Sequence, residues 1–243
     1  MEPLENANGE GMARVIEDVA IIGGGASSLG VIESCLLAGL SATMIRTTPG
    51  SAAEARRRIA ASLGDKQDAG RLDRGEVERA LGRFRVSGDM AAAASADLVL
   101  ESTEVPWKER QTLLQLAERA TNGHAILATT APTALLRALS TRLDVRENFV
   151  GMHFFVPAVL AGFCEVSVTN RTQPTVVETS VQFVKALGKH AVIVHDTPAC
   201  LLLQSQGARV ETSRGVSSAR PQQLQARRGI TSSFCGTFDR IVA

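Results

Sequence analysis

A short apolar run that ends in three consecutive glycines constrains the fold of this chain more than any other feature. Val19-Ala20-Ile21-Ile22 leads into Gly23-Gly24-Gly25. After the glycines, apolar residues recur near the 3.6-residue helical period, at Leu29, Ile32, Cys35, Leu36 and Leu40. The pattern predicts a buried parallel strand that enters a tight turn and continues as a helix.

The same alternation of apolar runs and helical patterns continues as far as residue 194. Further strands are predicted at 42–45, 84–86, 96–101, 125–128, 149–154, 164–168 and 191–194. Further helices are predicted at 51–63, with Ser51 as its N-cap, and at 75–80, 107–120, 133–143 and 175–187. This order predicts an α/β fold: a doubly wound, Rossmann-type, mostly parallel sheet with helices on both faces. The predicted domain spans residues 18–203, between a flexible lead (1–17) and a basic, polar, disordered tail (204–243).

Composition favours a cytoplasmic protein. The formal net charge of +1 creates no field that would attract nucleic acid or an anionic membrane. No run approaches the about 18 apolar residues of a membrane span. The polar start of the chain lacks the apolar core of a secretory signal. The four cysteines (Cys35, Cys164, Cys200 and Cys235) are far apart, which predicts reduced thiols and no metal site.

The glycine turn has the spacing of a dinucleotide fingerprint, Gly23-x-Gly25-x-x-Ser28. The first glycine permits the turn, the second lets a pyrophosphate approach the backbone, and Ser28 packs the helix against the strand. A strand-to-helix turn without a ligand remains the alternative. Arg46 ends the second strand, where NAD-binding folds usually carry an acid, so we expect a preference for NADP over NAD. A solvent-facing arginine at a site without nucleotide is the other interpretation.

Gly151-Met152-His153-Phe154-Phe155-Val156-Pro157 closely resembles the G-x-H-F-F-N-P segment of the 3-hydroxyacyl-CoA dehydrogenase family. Other segments resemble that family in the same order: 21–25, 96–101, 125–128, 164–166, 186–189 and 196–198. The resemblance covers about residues 18–203. It implies an NAD- or NADP-dependent oxidoreductase of fatty acid metabolism that converts a small-molecule 3-hydroxyacyl thioester into the 3-oxoacyl thioester.

The resemblance also implies roles for individual residues. His153 is expected to be the catalytic base, and Glu165, twelve residues later, to orient it once the intervening segment turns back. Glu101 ends the segment that resembles the family's A-D-L-V-I-E, and Arg110 matches a basic residue that the family places in the helix after it. We therefore expect the cofactor to be bound by Gly23, Gly25, Ser28, Arg46, Glu101 and Arg110.

Several departures from the family pattern predict weak catalysis. Pro132 stands where the family has a serine that binds the substrate's 3-oxygen, and Thr133 could replace it only if the loop shifts. Val156 and Leu203 stand at two family asparagines, and Val105 stands at a second acid. The family's all-helical C-terminal domain is expected to be absent, which predicts an exposed end near residues 201–203, available to a partner subunit or a second copy. A non-catalytic nucleotide-binding remnant or a scaffold subunit is the alternative function.

Overall fold

The structure is a computed structural model that describes residues 13–47, 52–155 and 162–195. Its strands form one eight-stranded sheet. In chain order they are β1 (Asp18–Ile22), β2 (Ser41–Ile45), β3 (Phe84–Ser87), β4 (Leu98–Glu101), β5 (Ile126–Thr129), β6 (Phe149–Phe154), β7 (Phe163–Val168) and β8 (His190–His195).

The strand order across the sheet is β3-β2-β1-β4-β5-β6-β7-β8. All neighbours are parallel except β6 and β7, which are antiparallel. Residues 155–162, between β6 and β7, are too few for the crossover of about a dozen or more that parallel strands need. The order reverses between β1 and β4, the point where doubly wound sheets bind ligands at the carboxyl ends of their strands. The predicted fold class is confirmed.

Helices cover both faces of this sheet. They are α1 (Ala26–Leu37), α2 (Ala52–Asp68), α3 (Arg74–Gly82), α4 (Trp107–Ala120), α5 (Leu136–Ser140) and α6 (Pro174–Ala186). One core cluster joins α1, α2, α3 and α6 to the sheet and includes Ile32, Ile59 and Phe183. The other joins α4 and α5 to the opposite face and includes Leu114, Leu139 and Phe149. Among the described residues, no helix is both long and apolar enough to cross a membrane.

The helix predicted at 133–143 is wrong in extent. A 3-10 turn covers Thr133–Leu135, and α5 ends at Ser140. Local hydrogen bonds compete with further helix here: Thr141 Oγ1 donates to the Ala138 carbonyl at 2.7 Å, and an Arg146 guanidinium N–H to the Thr141 carbonyl at 2.7 Å.

Residues 13–17 pack on the domain, although the sequence placed them in a flexible lead. Ile16 is only 7% exposed and belongs to the core. The Arg14 backbone N–H donates to Thr179 Oγ1 at 3.0 Å, and Asp97 accepts the backbone N–H groups of Glu17 and Asp18 at 2.8 and 2.9 Å. These contacts attach residues 14–18 to α6 and to the residue that precedes β4. Several predictions concern residues that the structure does not describe. They are those on the rest of the lead, Ser51, Val156, Cys200, Cys235, the Leu201–Leu203 end, the tail and a further helical domain.

Candidate active site

Gly23 occupies a position that no other residue could fill. Its φ is +135°, which L side chains rarely adopt, and an added Cβ would lie 2.4 Å from the Ser102 carbonyl oxygen. Its N–H donates to the carbonyl of Ile45 at 2.9 Å. The turn is therefore hydrogen-bonded to the end of β2, and it lies in close contact with Ser102, the residue after β4.

Beyond Gly23, the turn is open. Gly24 and Gly25 are exposed, and a Cβ on Gly25 would meet nothing within 4 Å. Gly25 is the N-cap of α1 in extended conformation, and no side chain caps the helix. The first-turn N–H groups of a helix have no partner within the helix and favour an anion. The backbone here therefore fits a pyrophosphate, as the fingerprint predicts.

Ser28 lies at the third position of the fingerprint, and its hydroxyl is already engaged. It is fully buried and donates to the Ser102 carbonyl oxygen at 2.9 Å. The side chain therefore joins α1 to the residue after β4 instead of facing a phosphate. This agrees with the packing role expected of the third position, and a contact of Ser28 with the cofactor stays a prediction.

Arg46 follows the last residue of β2 and is half-buried. Its backbone N–H donates to the Ser87 carbonyl at 2.9 Å, and the preceding carbonyl, that of Ile45, holds Gly23. Arg46 is therefore the next residue after Ile45, whose carbonyl accepts the hydrogen bond from the glycine turn. This is the neighbourhood in which Rossmann-type folds bind the adenosine ribose.

The Glu101 carboxylate is fully buried, and donors from three described residues form hydrogen bonds to it. One oxygen accepts the Thr103 N–H at 2.7 Å and also the Thr103 hydroxyl. The other accepts Thr129 Oγ1 at 2.6 Å and Arg110 Nη1 at 3.1 Å. Glu101 and Arg110 were expected to contact the cofactor. In the structure they join β4, β5 and α4 and fix the loop that starts at Ser102, and their contact with the cofactor stays a prediction.

His153 and Glu165 lie directly opposite each other in the antiparallel β6–β7 pair, as the sequence predicted. Directly paired residues place their side chains on the same face of a sheet. Register also places them relative to the glycine turn: Ile22, Glu101, Thr129 and Gly151 are successive partners across four strands. His153 is two residues beyond this row, and Gly23 is one beyond it. Both therefore stand at the carboxyl edge of the parallel strands.

A pair of hydroxyls holds the Glu165 carboxylate. Thr133 Oγ1 and Ser167 Oγ each donate to Glu165 Oε1 at 3.1 Å, and they lie 2.9 Å from each other. Glu165 is fully buried, and Thr133 is only 6% exposed. The Thr133 hydroxyl, which was expected to stand in for a donor at Pro132 only if the loop shifts, turns inward to the carboxylate.

The His153 ring is held by an aromatic contact. Its centroid is 4.7 Å from that of Phe155, with the rings nearly perpendicular, and Phe155 in turn lies 4.6 Å from Phe163. His153 itself is half-buried. A histidine that is restrained by an aromatic neighbour and still partly accessible can exchange a proton with a bound molecule.

Sequence reasoning missed the hydroxyl residues that support these carboxylates: Thr103, Thr129 and Ser167. Each stands at or near the end of a buried apolar strand, where a polar residue needs a partner. That position was the available signal. Among the described residues, no group of three or more potential ligands could hold a metal ion.

The reversed strand order, the open glycine turn and the uncapped helix together define a dinucleotide-binding domain of the Rossmann type. The sequence model of the 3-hydroxyacyl-CoA dehydrogenase NAD-binding domain matches residues 18–197. The chain therefore belongs to the 3-hydroxyacyl-CoA dehydrogenase family and contains its NAD-binding domain. Membership indicates a nicotinamide adenine dinucleotide as the class of cofactor.

Individual relatives agree with this assignment. Human mitochondrial hydroxyacyl-coenzyme A dehydrogenase is 28% identical over 194 residues, which cover 77% of this chain and 62% of that protein. The fatty acid oxidation complex subunit alpha of Ectopseudomonas oleovorans is 32% identical over 140 residues, covering 58% of this chain and 20% of that protein. The crystal structure of 3-hydroxybutyryl-CoA dehydrogenase from Escherichia coli K12 matches with a TM-score of 0.75 at 26% identity, over 78% of this chain and 40% of that one. The chain thus spans at most 62% of the length of these relatives.

Proposed function

We propose that this chain contributes the cofactor-binding and proton-transfer half of an oxidoreductase that converts a 3-hydroxyacyl thioester into a 3-oxoacyl thioester. The observation that carries the proposal is the pairing of His153 with Glu165 at the same sheet edge as the glycine turn. A dinucleotide that starts at the turn and extends across β4 and β5 would end beside His153. Its path follows the crevice that doubly wound sheets use for this purpose.

His153 would accept the proton of the substrate's 3-hydroxyl as the C3–O bond becomes a carbonyl. Bound nicotinamide supplies the acceptor for the hydride that leaves C3. The proton thus goes to the imidazole and the electron pair to the cofactor. Glu165, held by Thr133 and Ser167, would orient the imidazole and stabilise its protonated form.

The same geometry supports slow catalysis. Pro132 has no donor for the developing oxygen, and the neighbouring Thr133 hydroxyl is engaged with Glu165. Removing one such donor from an active site commonly costs about 10²–10³-fold in turnover. A nucleotide-binding protein without turnover is therefore the second candidate function, and Pro132 is the observation that favours it.

We further propose that Arg46 gives a preference for NADP(H). A guanidinium at the end of β2 attracts a 2′-phosphate and leaves the ribose hydroxyls of NAD without an acidic partner. The test is a titration of the protein with NADH and NADPH, followed by energy transfer from Trp107. Trp107 is the chain's only tryptophan and starts α4, next to the loop after β4. We expect tighter binding of NADPH, and Arg46→Ala should remove the difference. NADH binding at least as tight as NADPH binding would refute the proposed preference for NADP(H), but it would leave the proposed oxidoreductase function intact.

Turnover is tested with an acyl-CoA substrate such as 3-hydroxybutyryl-CoA, by the absorbance of the reduced cofactor. His153→Gln should lower kcat by about 10²–10⁴-fold while leaving cofactor affinity unchanged. His190→Gln is the matched control, because His190 is exposed at the sheet edge on β8. Pro132→Ser should raise kcat, and should do so only when His153 is present. Tight cofactor binding with no turnover in either the wild type or Pro132→Ser would favour the second candidate.

A further inference from the structure

Ser102 is held rigidly at the point where the sheet order reverses. It directly follows β4, its N–H donates to the Ile22 carbonyl at 2.8 Å, and its carbonyl accepts the Ser28 hydroxyl at 2.9 Å. The preceding residue, Glu101, is fixed by its four hydrogen bonds. The backbone of Ser102 therefore cannot move without breaking contacts to both β1 and α1.

The Ser102 hydroxyl is buried and has no hydrogen-bond partner among the described residues, although the residue is only 7% exposed. Buried polar groups in folded proteins are almost always paired, with protein, water or a ligand. Within the described residues, the other buried side-chain atoms without a partner are Arg83 Nε and Ser180 Oγ. These two lie next to α3 and in α6, away from the carboxyl edge.

Strand alternation gives the direction of this hydroxyl. Glu101 faces α4, since its carboxylate bonds Arg110, so the next residue points to the α1 face. That is the face of the glycine turn, where the Ser102 carbonyl already lies within the space a Gly23 side chain would need. The Ser102 side chain is therefore on the same face of the sheet as the open N-terminus of α1.

We propose that Ser102 Oγ forms a hydrogen bond to the dinucleotide, in the pyrophosphate and ribose segment that follows the adenosine. This rests on the proposed function, because it requires a dinucleotide at the glycine turn. A hydroxyl both donates and accepts, so it suits either a phosphate oxygen or a ribose hydroxyl. The rigid backbone means that the hydroxyl is oriented before the ligand arrives, which limits the entropic cost of binding.

The experiment compares the wild type with Ser102→Ala by calorimetric titration with AMP, ADP and ADP-ribose, using the full chain. We expect ADP-ribose to bind Ser102→Ala about 3- to 10-fold more weakly, the effect of losing one hydrogen bond. A loss already present with AMP assigns the contact to the phosphate next to the adenosine. A loss already present with ADP assigns the contact to the pyrophosphate, and a loss seen only with ADP-ribose assigns it to the ribose.

Ser180→Ala is the matched control, because it removes the other buried hydroxyl without a partner in the described part of the chain, and Ser180 is fully buried in α6. It should leave all three affinities unchanged. A second measurement is the melting temperature. Without ligand, neither substitution should lower it, since neither removes a hydrogen bond, whereas the rise caused by saturating ADP-ribose should be smaller in Ser102→Ala alone.

The outcomes separate the two proposals. Equal ADP-ribose affinity in the wild type and Ser102→Ala overturns the inference and leaves the proposed function intact. Equal loss of affinity in Ser102→Ala and Ser180→Ala also overturns it, because the effect is then not local. A wild-type protein that binds none of the three nucleotides, nor NADH or NADPH, overturns the proposed function and this inference with it.

Discussion

The Ser28 hydroxyl donates to the Ser102 carbonyl oxygen at 2.9 Å and so joins the first turn of α1 to the residue after β4. Because both groups are buried, Ser28→Ala would leave the carbonyl without this donor. We expect the free energy of unfolding to fall by about 1–2 kcal/mol in urea denaturation. NADH and NADPH should also bind more weakly, since the first turn of α1 loses its hydrogen bond to the residue after β4.

Ser34→Ala, on the same helix, is the control for Ser28. The Ser34 hydroxyl bonds the Gly30 carbonyl within its own helix, so alanine there should be neutral or slightly stabilising. Equal effects of the two substitutions would mean that the hydrogen bond between Ser28 and Ser102 contributes nothing to stability or to cofactor binding.

The ion pair of Glu101 and Arg110 should be far more important for stability than a surface pair. Arg110→Met would leave a fully buried carboxylate with one donor fewer and no counter-charge. We expect a loss of about 3 kcal/mol in unfolding free energy. Arg74→Met is the comparison: Arg74 and Glu78 are 84% and 63% exposed, so water screens their attraction and the loss of this pair should cost far less than the loss of the buried one. A similar cost for both variants would contradict the buried role of Glu101.

Thr133 is predicted to act as a positioning residue through Glu165. Thr133→Val removes a hydroxyl that contacts both Glu165 and Ser167, so unfolding free energy should fall by about 1–2 kcal/mol. With turnover measurable, kcat should fall about tenfold while KM for the thioester stays constant, as expected when orientation and not binding is lost.

Thr121→Val controls for the effect of removing a buried threonine hydroxyl. Thr121 is also fully buried, but its hydroxyl bonds carbonyls of α4 at the opposite end of the sheet. It should leave kcat unchanged. A parallel fall of kcat in both variants would show that Thr133 acts only through general stability.

Burial of two thiols predicts a fall in stability at alkaline pH. Burial raises the pKa of Cys35 from 9.0 to about 12, and burial with the nearby Glu165 charge raises the pKa of Cys164 as well. Above pH 9 the unfolded chain loses thiol protons that the folded protein keeps. The free energy of unfolding should therefore fall, by about 1.4 kcal/mol per pH unit for each thiol. The chain has no tyrosine to confuse this titration.

The measurement is urea denaturation between pH 8 and 10.5 in a reducing buffer. Cys35→Ala should reduce the slope of the unfolding free energy against pH by the contribution of one thiol. This holds whatever the substitution does to stability at pH 8. An unchanged slope in this variant would show that Cys35 is not protected as the structure requires.

The fold was largely predictable because local patterns define its elements. Val19–Ile22 and the glycines after it mark a strand and a turn by composition alone. The twelve-residue spacing of His153 and Glu165 allowed a hairpin that pairs them. In contrast, the Ser28 hydroxyl finds its partner 74 residues away, which no local pattern reveals. The hydrogen bonds of Glu101 and Thr133 were missed for the same reason, since each depends on which donors the folded chain brings to a carboxylate.

The position of β1 also has a consequence for synthesis of the protein. Its first partner, β2, is complete by Ile45, but its second partner, β4, begins only at Leu98. A nascent chain therefore carries an apolar strand with one unpaired edge until β4 leaves the ribosome. Open strand edges template pairing with other chains. Translation that pauses in this interval would expose the polypeptide to aggregation, and fragments that end before residue 98 should be insoluble.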